Sequence, residues 1–428
     1  MAAIVLACFC LAIAATLALH VSLLWALGFG FLLFFCFALV RGRTAPSLAR
    51  LALDGVRTVF QVCSTLLCIG LLTAAWRASG TIAYLVDLAL GAVTPDIFLP
   101  CVFLCNCALS FILGSAFATA ATMGVICMSV AHTLDFSVLL AGGAILAGCY
   151  FGDRCSPMST SSLLVCTLAK VPGHRIMRAL FRTCLPGFAG SLLLYGAASL
   201  LPHGTGAIPD TAAFFAQEYR MGPLLALPAI LVLVLAFFRV HVRNTVLCST
   251  ALALVLCLFV QDRSPAELPQ LLVFGFTAAN DEVGRLMNGG GLISMAEVVG
   301  IVCISSTYAG LFRAGGLMDG LNAVVRRLAA RSSFLAYAGT GLLTGAIACN
   351  QTLAIMLTHQ LTEPLQKDPA RHAVDMEDSV LLLAALVPWS IATTVPLYMV
   401  GAPLASIPLA FYVWLVPLSR LVFTPRSI

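Results

Sequence analysis

The chain has 428 residues, of which 61% are hydrophobic and 10% are charged, and its formal net charge is +5. This composition excludes a soluble globular protein and predicts an integral membrane protein, because apolar segments recur along the whole length. The basic residues lie in short loops, which is typical of the positive-inside bias and does not indicate nucleic-acid binding. The 17 cysteines stand singly in apolar runs, as buried small residues do, and the sequence predicts no cofactor.

The first half of the chain predicts several membrane helices in succession. Apolar stretches over residues 3–19 and 21–40 lead to a basic loop, which we expect in the cytoplasm. This loop carries Arg41, Arg43, Arg50 and Arg57. A helix over residues 58–76 follows. The next stretch, residues 98–131, is too long for one helix, and small residues from Gly114 onward predict a break between two pieces.

Residues 150–162 interrupt the next apolar run, which extends from residue 137 to residue 169. The segment contains Asp153, Arg154, Pro157 and five serine or threonine side chains, which are costly where a membrane helix would run. Pro157 lacks a backbone donor, and its ring clashes with the carbonyl of Asp153, four residues back. We therefore predict a discontinuous helix, which survives at membrane depth only where protein or a water-filled cavity surrounds it.

After a polar loop, the second half repeats this order, with a second discontinuous helix near Pro388. Its expected membrane elements lie at residues 223–238, 245–260, 292–312, 334–361 and 379–400, with a last helix that ends near residue 421. The predicted organisation is therefore two membrane repeats of about six elements each. The first repeat covers residues 1–200 and the second residues 223–428, joined by a linker at residues 201–222.

Matched residues support an internal duplication. The matches are Arg77 with Arg313 at an offset of 236, and Gly114 with Gly345 and Pro157 with Pro388 at an offset of 231. Three anchors in the same order indicate a repeat.

The charges of the loops predict opposite orientations for the two repeats. The basic loop at residues 41–57 corresponds to an acidic loop around Asp281 and Glu282, and the nearly neutral segment after Arg77 corresponds to a basic one that ends at Arg331. Under the positive-inside rule the repeats then cross the membrane in opposite senses, with both termini in the cytoplasm. The predicted fold is an all-α integral membrane protein of inverted repeats, a plan that secondary transporters use.

The helix breaks supply candidate ligands for a cation. A hard cation prefers oxygen ligands, and a carboxylate offsets the cost of dehydrating it. The candidates are Asp153, Ser156, Ser159, Thr160 and Ser162 at the first break, Ser390 and Thr393 at the second, and Thr119, Thr122, Asn350 and Gln351 in the two upstream breaks. Helix capping and helix-to-helix hydrogen bonding are the structural alternatives for these polar groups.

Glu297 is a candidate for carrying a proton. It stands alone in an apolar run, and its counterpart in the first half is the neutral Gln61. A lone carboxyl in such a setting is expected to load and unload a proton near neutral pH. The alternatives are a position near the headgroups or a pairing with an arginine.

Two other classes of membrane protein are disfavoured. A channel would be expected to form symmetric subunits around one pore, whereas inverted halves favour alternating access. An intramembrane enzyme that used Ser156 would need a base within reach, and the sequence places no histidine near it.

The motifs around these breaks resemble those of the NhaC-type sodium/proton antiporter family of bacterial membranes. Residues 152–159 read Gly-Asp-Arg-Cys-Ser-Pro-Met-Ser, similar to the family's Gly-Asp-Lys-x-Ser-Pro-x-Ser. Weaker matches are Gly114 followed by Thr119 and Thr122, the Asn350-Gln351 pair, and Glu377-Asp378-Ser379 leading to Pro388. The resemblance implies discontinuous helices in inverted repeats, exchange of sodium for protons with a sodium site at Asp153, and a bacterial inner-membrane location.

One departure from the family's pattern bears on the transported ion. The family's motif continues Ser-Asp-Thr-Thr where this chain has Ser159-Thr160-Ser161-Ser162, so the motif has one carboxylate fewer. Two hypotheses follow, namely sodium/proton antiport and the sodium- or proton-coupled transport of a small organic acid or amino acid. A homodimer is compatible with both.

Overall fold

The computed structural model describes residues 2–19, 21–200, 211–238, 240–315 and 321–422. Within these residues the chain is helical, and the one extended pairing is an isolated bridge between Phe276 and Gly289. Residues 201–210 of the predicted linker and both chain ends, residue 1 and residues 423–428, lie outside the described residues.

The first half forms ten helices in the described residues. They are α1 (Ala2–Ala18), α2 (Leu23–Val40), α3 (Ala45–Ala78), α4 (Thr81–Ala92), α5 (Phe98–Leu113), α6 (Ala116–Thr119), α7 (Val125–Thr133), α8 (Val138–Cys155), α9 (Thr160–Leu168) and α10 (Gly173–Ser199). A π-helix over Ala120–Gly124 joins α6 to α7, and a short 3-10 turn over Pro95–Ile97 precedes α5.

The second half is divided into more pieces. Its helices are α11 (Thr211–Phe215), α12 (Leu227–Phe237), α13 (Val242–Phe259), α14 (Leu268–Phe274), α15 (Asp281–Met287), α16 (Gly291–Ser294), α17 (Ala296–Ala314), α18 (Leu321–Ala329), α19 (Ser333–Ala348), α20 (Gln351–Thr362), α21 (Pro369–Glu377), α22 (Val380–Leu383), α23 (Ile391–Val400) and α24 (Phe411–Val422). Short 3-10 turns lie at Pro223–Ala226, Pro265–Glu267, Glu363–Leu365, Ala384–Leu386 and Leu404–Leu409.

Several of these helices are long and apolar enough to cross a membrane. In the described part of the chain six segments qualify, namely Leu23–Val40, Ala45–Ala78, Pro95–Leu113, Ala116–Thr133, Val138–Cys155 and Val242–Phe259. A bent pair, Pro369–Leu386 with Ile391–Val400, makes a seventh if its two parts, 57° apart, count as one span. The prediction of an all-helical, multi-pass membrane protein is confirmed.

The predicted basic loop at residues 41–57 is wrong for most of its length, because α3 begins at Ala45. Pro46 occupies the first turn, where its fixed φ favours a helix start and its missing donor costs nothing. Arg50 and Arg57 are exposed, so the helix can carry them without burying charge. A helix of 34 residues is about 51 Å long against a hydrocarbon core of about 30 Å, so its basic end reaches beyond the core.

The two halves pack against each other along α3. This helix lies against α17 and α13 of the second half, while α5 lies on α8 and α10 on α24. Small residues permit close approach: a Cβ at Gly55 would lie 2.4 Å from the carbonyl oxygen of Ser306 in α17. Packing of backbone on backbone through small residues is the usual contact between membrane helices.

Two helices, one from each half of the chain, end in the same way. Helices α5 and α19 each have 16 residues and each ends in a left-handed residue, Gly114 with φ +61° and Cys349 with φ +54°. These two left-handed residues lie 235 positions apart (349 − 114), four more than the offset of 231 that the sequence predicts for Gly114 and Gly345. Ser159 and Ser390 cap α9 and α23, at the predicted offset of 231 (390 − 159).

Candidate functional site

Asp153 lies in the last turn of α8, where the helix crosses α5 closely. The crossing depends on glycine, because a Cβ at Gly152 would lie 1.9 Å from the carbonyl carbon of Ser110. The Ser110 hydroxyl accepts from the Gly152 N–H at 2.9 Å and donates to the carbonyl of Gly148 at 2.8 Å. These contacts fix the end of α8, and the Asp153 side chain is left only 4% exposed.

Residues 156–159 connect α8 to α9 without helical structure. Serine hydroxyls here accept hydrogen bonds from nearby backbone N–H groups. The hydroxyl of Ser156 accepts from the N–H of Met158 at 3.1 Å, and that of Ser159 accepts from the N–H of Ser162 at 3.1 Å. The upstream break packs directly on this connection, since a Cβ at Gly114 would lie 2.5 Å from the carbonyl carbon of Met158. Pro157, by contrast, is exposed.

Asp153 accepts a hydrogen bond from a residue in the other half of the chain. Gln351, the first residue of α20, donates its amide to Asp153 Oδ2 at 2.9 Å and to the carbonyl of Leu381 at 3.1 Å. Ser159 donates to Asp153 Oδ1 at 3.2 Å, and Ser161 donates to the Gln351 Oε1 atom at 3.3 Å. We call Asp153, Ser159, Ser161 and Gln351 the Asp153 cluster.

The second break lies against the first. The hydroxyl of Tyr150, one turn before Asp153, donates to the carbonyl of Ala392 in α23 at 2.6 Å. Ser390 and Thr393 are fully buried, but their hydroxyls bond to their own segment: Ser390 accepts from the N–H of Ala392 at 3.3 Å, and Thr393 donates to the carbonyl of Val387 at 2.7 Å.

Three further predicted ligands also have local partners. Thr119 donates to the carbonyl of Ser115 at 2.9 Å, and Thr122 donates to that of Ala118 at 2.7 Å. Asn350 caps α20 by accepting from the N–H of Thr352 at 2.9 Å. Such bonds are typical of helix caps and of hydroxyls within helices.

Thr160 and Glu297 lie apart from the Asp153 cluster. Thr160 is the first residue of α9, and its side chain is exposed. Glu297 is half-buried near the start of α17, where it accepts a hydrogen bond from Ser22 and lies within electrostatic reach of Tyr398. Glu297 stands in an apolar run of its own helix, and Ser22, at the start of α2, supplies its polar partner.

The sequence reasoning missed a buried network of ion pairs beside Asp153. Arg154 is fully buried and pairs with Asp378, which is also fully buried. Arg420 pairs with Asp375 and, at 2.8 Å, with Asp378 Oδ2. Arg154 also donates to the hydroxyl of Thr183 at 2.6 Å. The missed signal is that Arg154 and Arg420 occur in segments otherwise apolar, where charges are expected to pair.

Glu377 is a buried carboxylate of a different kind. Its side chain is fully buried, and neither of its oxygens has a hydrogen-bond partner among the described residues, although Ser162 and Arg154 lie nearby. Asp153 is within electrostatic reach of it. An ionised carboxylate without a partner is costly in such a place, so Glu377 should hold a proton or have a cation beside it.

The charges of this region do not balance. Four buried carboxylates, those of Asp153, Asp375, Glu377 and Asp378, face the two guanidinium groups of Arg154 and Arg420. If all six were ionised, the net charge would be −2 (2 − 4). Burial makes such an excess costly, which favours uptake of cations or protons.

Comparison with known proteins gives a consistent result. The sequence profile of the Na+/H+ antiporter family matches residues 1–200 and 174–424. An uncharacterized Na(+)/H(+) antiporter of Haemophilus influenzae is 26% identical over 373 residues, which cover 82% of this chain and 79% of that protein. The Na(+)/H(+) antiporter NhaC of Alkalihalophilus pseudofirmus is 25% identical over 387 residues, 87% of this chain and 83% of the relative.

A relative named for a different activity also matches. The malate-2H(+)/Na(+)-lactate antiporter of Bacillus subtilis is 22% identical over 361 residues, which cover 82% of this chain and 77% of that protein.

Proposed function

Because the chain belongs to the Na+/H+ antiporter family, we propose that it exchanges sodium for protons across a membrane by alternating access. The observation that carries the site assignment is that Gln351, from the second half, donates to the buried carboxylate of Asp153, from the first half. A site built from both halves is sensitive to how they move relative to each other, as alternating access requires.

The Asp153 cluster has the chemistry of a sodium site. Asp153 supplies a charged oxygen, Ser159 and Ser161 supply hydroxyl oxygens, and Gln351 has an amide oxygen beside its donor. Hard cations prefer such oxygens. Thr119, Thr122, Asn350, Ser390 and Thr393 donate or accept locally, and Ser162 lies near Glu377; their free lone pairs could complete the coordination in another conformation.

Glu377 is the proposed proton carrier. A sodium ion at Asp153 adds a positive charge within electrostatic reach of Glu377 and favours release of its proton. By linkage, a proton on Glu377 weakens sodium binding by the same free energy, which makes the two ions compete. Glu297, which has a hydrogen-bond partner and is half exposed, is the second candidate for the proton carrier.

The two breaks are the proposed moving parts. Their support is the equal length of α5 and α19, the left-handed residues that end both helices, and the serine caps of α9 and α23. We propose that these pieces belong to inverted repeats, that Pro157 and Pro388 interrupt helices at one depth, and that both termini face the cytoplasm of a bacterial cell. Assembly as a homodimer stays a prediction.

The test is sodium uptake by proteoliposomes that contain the purified protein, driven by an acidic interior. We expect uptake that depends on the pH gradient and acidification that is reversed by outside sodium. Malate, lactate and amino acids form the second arm of the assay, because one relative is named for organic-acid exchange. Transport of an organic solute without sodium/proton exchange would overturn the proposal in favour of that alternative.

A further inference from the structure

A line of hydrogen-bonded rings crosses α19, α20 and α21. The Tyr337 hydroxyl lies 2.5 Å from His372 Nδ1, and His372 Nε2 lies 2.9 Å from His359 Nδ1. The remaining ring nitrogen of His359, Nε2, lies 3.9 Å from a carboxylate oxygen of Glu363. The four side chains therefore form one continuous polar path, in which His372 uses both of its ring nitrogens.

The path leads from the surface to the interior. The Glu363 side chain is 65% exposed and that of His359 is 13% exposed, whereas His372 is 4% exposed and Tyr337 is fully buried. The contact between the two histidine rings is a hydrogen bond and not packing alone. One ring nitrogen must therefore donate and the other must accept.

Imidazole rings can pass a proton inward along this path. A proton bound by His359 at Nε2 makes the ring release its Nδ1 proton to His372 Nε2. One N–H bond breaks at His359, one forms at His372, and the positive charge moves inward by one ring. The charged His372 then donates from Nδ1 to the oxygen of Tyr337, which stabilises it. Imidazole suits this role because one of its ring nitrogens can accept a proton while the other donates one.

The inner end of the path reaches the acidic helix of the site. His372 lies on α21, and Asp375 lies one turn further on the same face, paired with Arg420. Glu377 ends the same helix. The charged groups that face the two histidines are Glu363 at the surface, and Arg371 and Asp375 on α21, the latter two within electrostatic reach of Tyr337.

We propose that His359 and His372 form a proton-binding relay that carries protons between water near Glu363 and the interior at His372, one turn from Asp375 on α21. The proposal rests on sodium/proton exchange as the function. It concerns the rate at which protons arrive and not the sodium site, so the relay and the site can be tested separately.

The experiment compares two exchange modes in proteoliposomes. Sodium uptake driven by a pH gradient requires net proton movement, whereas exchange of labelled for unlabelled sodium does not. We expect His359→Gln and His372→Gln to slow the first mode by roughly tenfold or more, and to leave the second at the wild-type rate. His174→Gln, which changes an exposed histidine on α10, is the matched control and should alter neither mode.

A chemical rescue distinguishes a relay from a structural role. Imidazole added to His359→Ala should restore part of the gradient-driven rate, since a small base can occupy the space near the surface. If the histidine variants lose both modes equally, or keep wild-type rates in both, the relay is overturned. The proposed sodium/proton exchange still stands in that case, provided that the wild-type protein shows gradient-driven uptake. A wild-type protein without gradient-driven sodium uptake would instead overturn the proposed function, and the relay with it.

Discussion

Replacing Asp153 with asparagine tests the sodium site most directly, because the change removes charge and little else. The side chain is buried and has two partners, Gln351 at 2.9 Å and Ser159 at 3.2 Å. Asparagine keeps the shape and can still accept the bond from Gln351. We therefore expect the fold to lose no more than about 1 kcal/mol, the contribution of one hydrogen bond.

The expected loss of sodium binding is much larger. A carboxylate and a monovalent cation about 2.4 Å apart attract each other by about 7 kcal/mol at an effective dielectric constant of about 20. Asp153 is already desolvated by the protein, so a substantial share of this energy is available to the ion. Half of it, about 3.5 kcal/mol, corresponds to a loss of sodium affinity of several hundredfold.

The assay is sodium titration of gradient-driven uptake, together with sodium-dependent protection against thermal unfolding in detergent. Asp54→Asn, at an exposed aspartate of α3, is the matched control and should leave the sodium affinity unchanged. If Asp153→Asn folds and retains its sodium affinity within about threefold, a loss worth less than 1 kcal/mol, the ion binds elsewhere and the reasoning is refuted.

Three further predictions follow from the same geometry. Glu377→Gln should flatten the pH dependence of exchange, measured as uptake rate against pH, whereas Glu297→Gln should preserve it. The reverse result would show that Glu297 is the proton carrier. Arg154→Met should destabilise the protein by about 3 kcal/mol, because it leaves the buried Asp378 with only one charged partner, Arg420, whereas the exposed Arg57→Met should cost less than about 1 kcal/mol; equal unfolding midpoints in denaturant would contradict this. Thr160→Asp should tighten sodium binding by no more than about fivefold, since a charge at this exposed position is screened; a larger gain would mean that residue 160 contacts the ion.

The sequence by itself determined the class of protein, a helical chain that crosses a membrane several times. Composition separates membrane from soluble chains, and the local backbone rules for glycine and proline act within a few residues. The break after Gly114 and the connection around Pro157 were therefore predicted from neighbouring residues alone. The assignment of a loop from charged residues failed at α3, because exposed arginines do not prevent a helix from starting at Ala45.

Only the tertiary structure decided which polar groups meet. Gln351 contacts Asp153 across 198 residues of chain, and Asp378 contacts Arg154 across 224. Periodicity and motif spacing describe contacts within one element, so they gave no measure of these distances. Thr119, Thr122 and Asn350 bond to their own segments, while Glu377, part of a motif noted only for its resemblance, lies buried with neither oxygen hydrogen-bonded to a residue that the structure describes. Burial by distant segments makes that carboxylate costly to ionise, and such burial is a property of the folded chain alone.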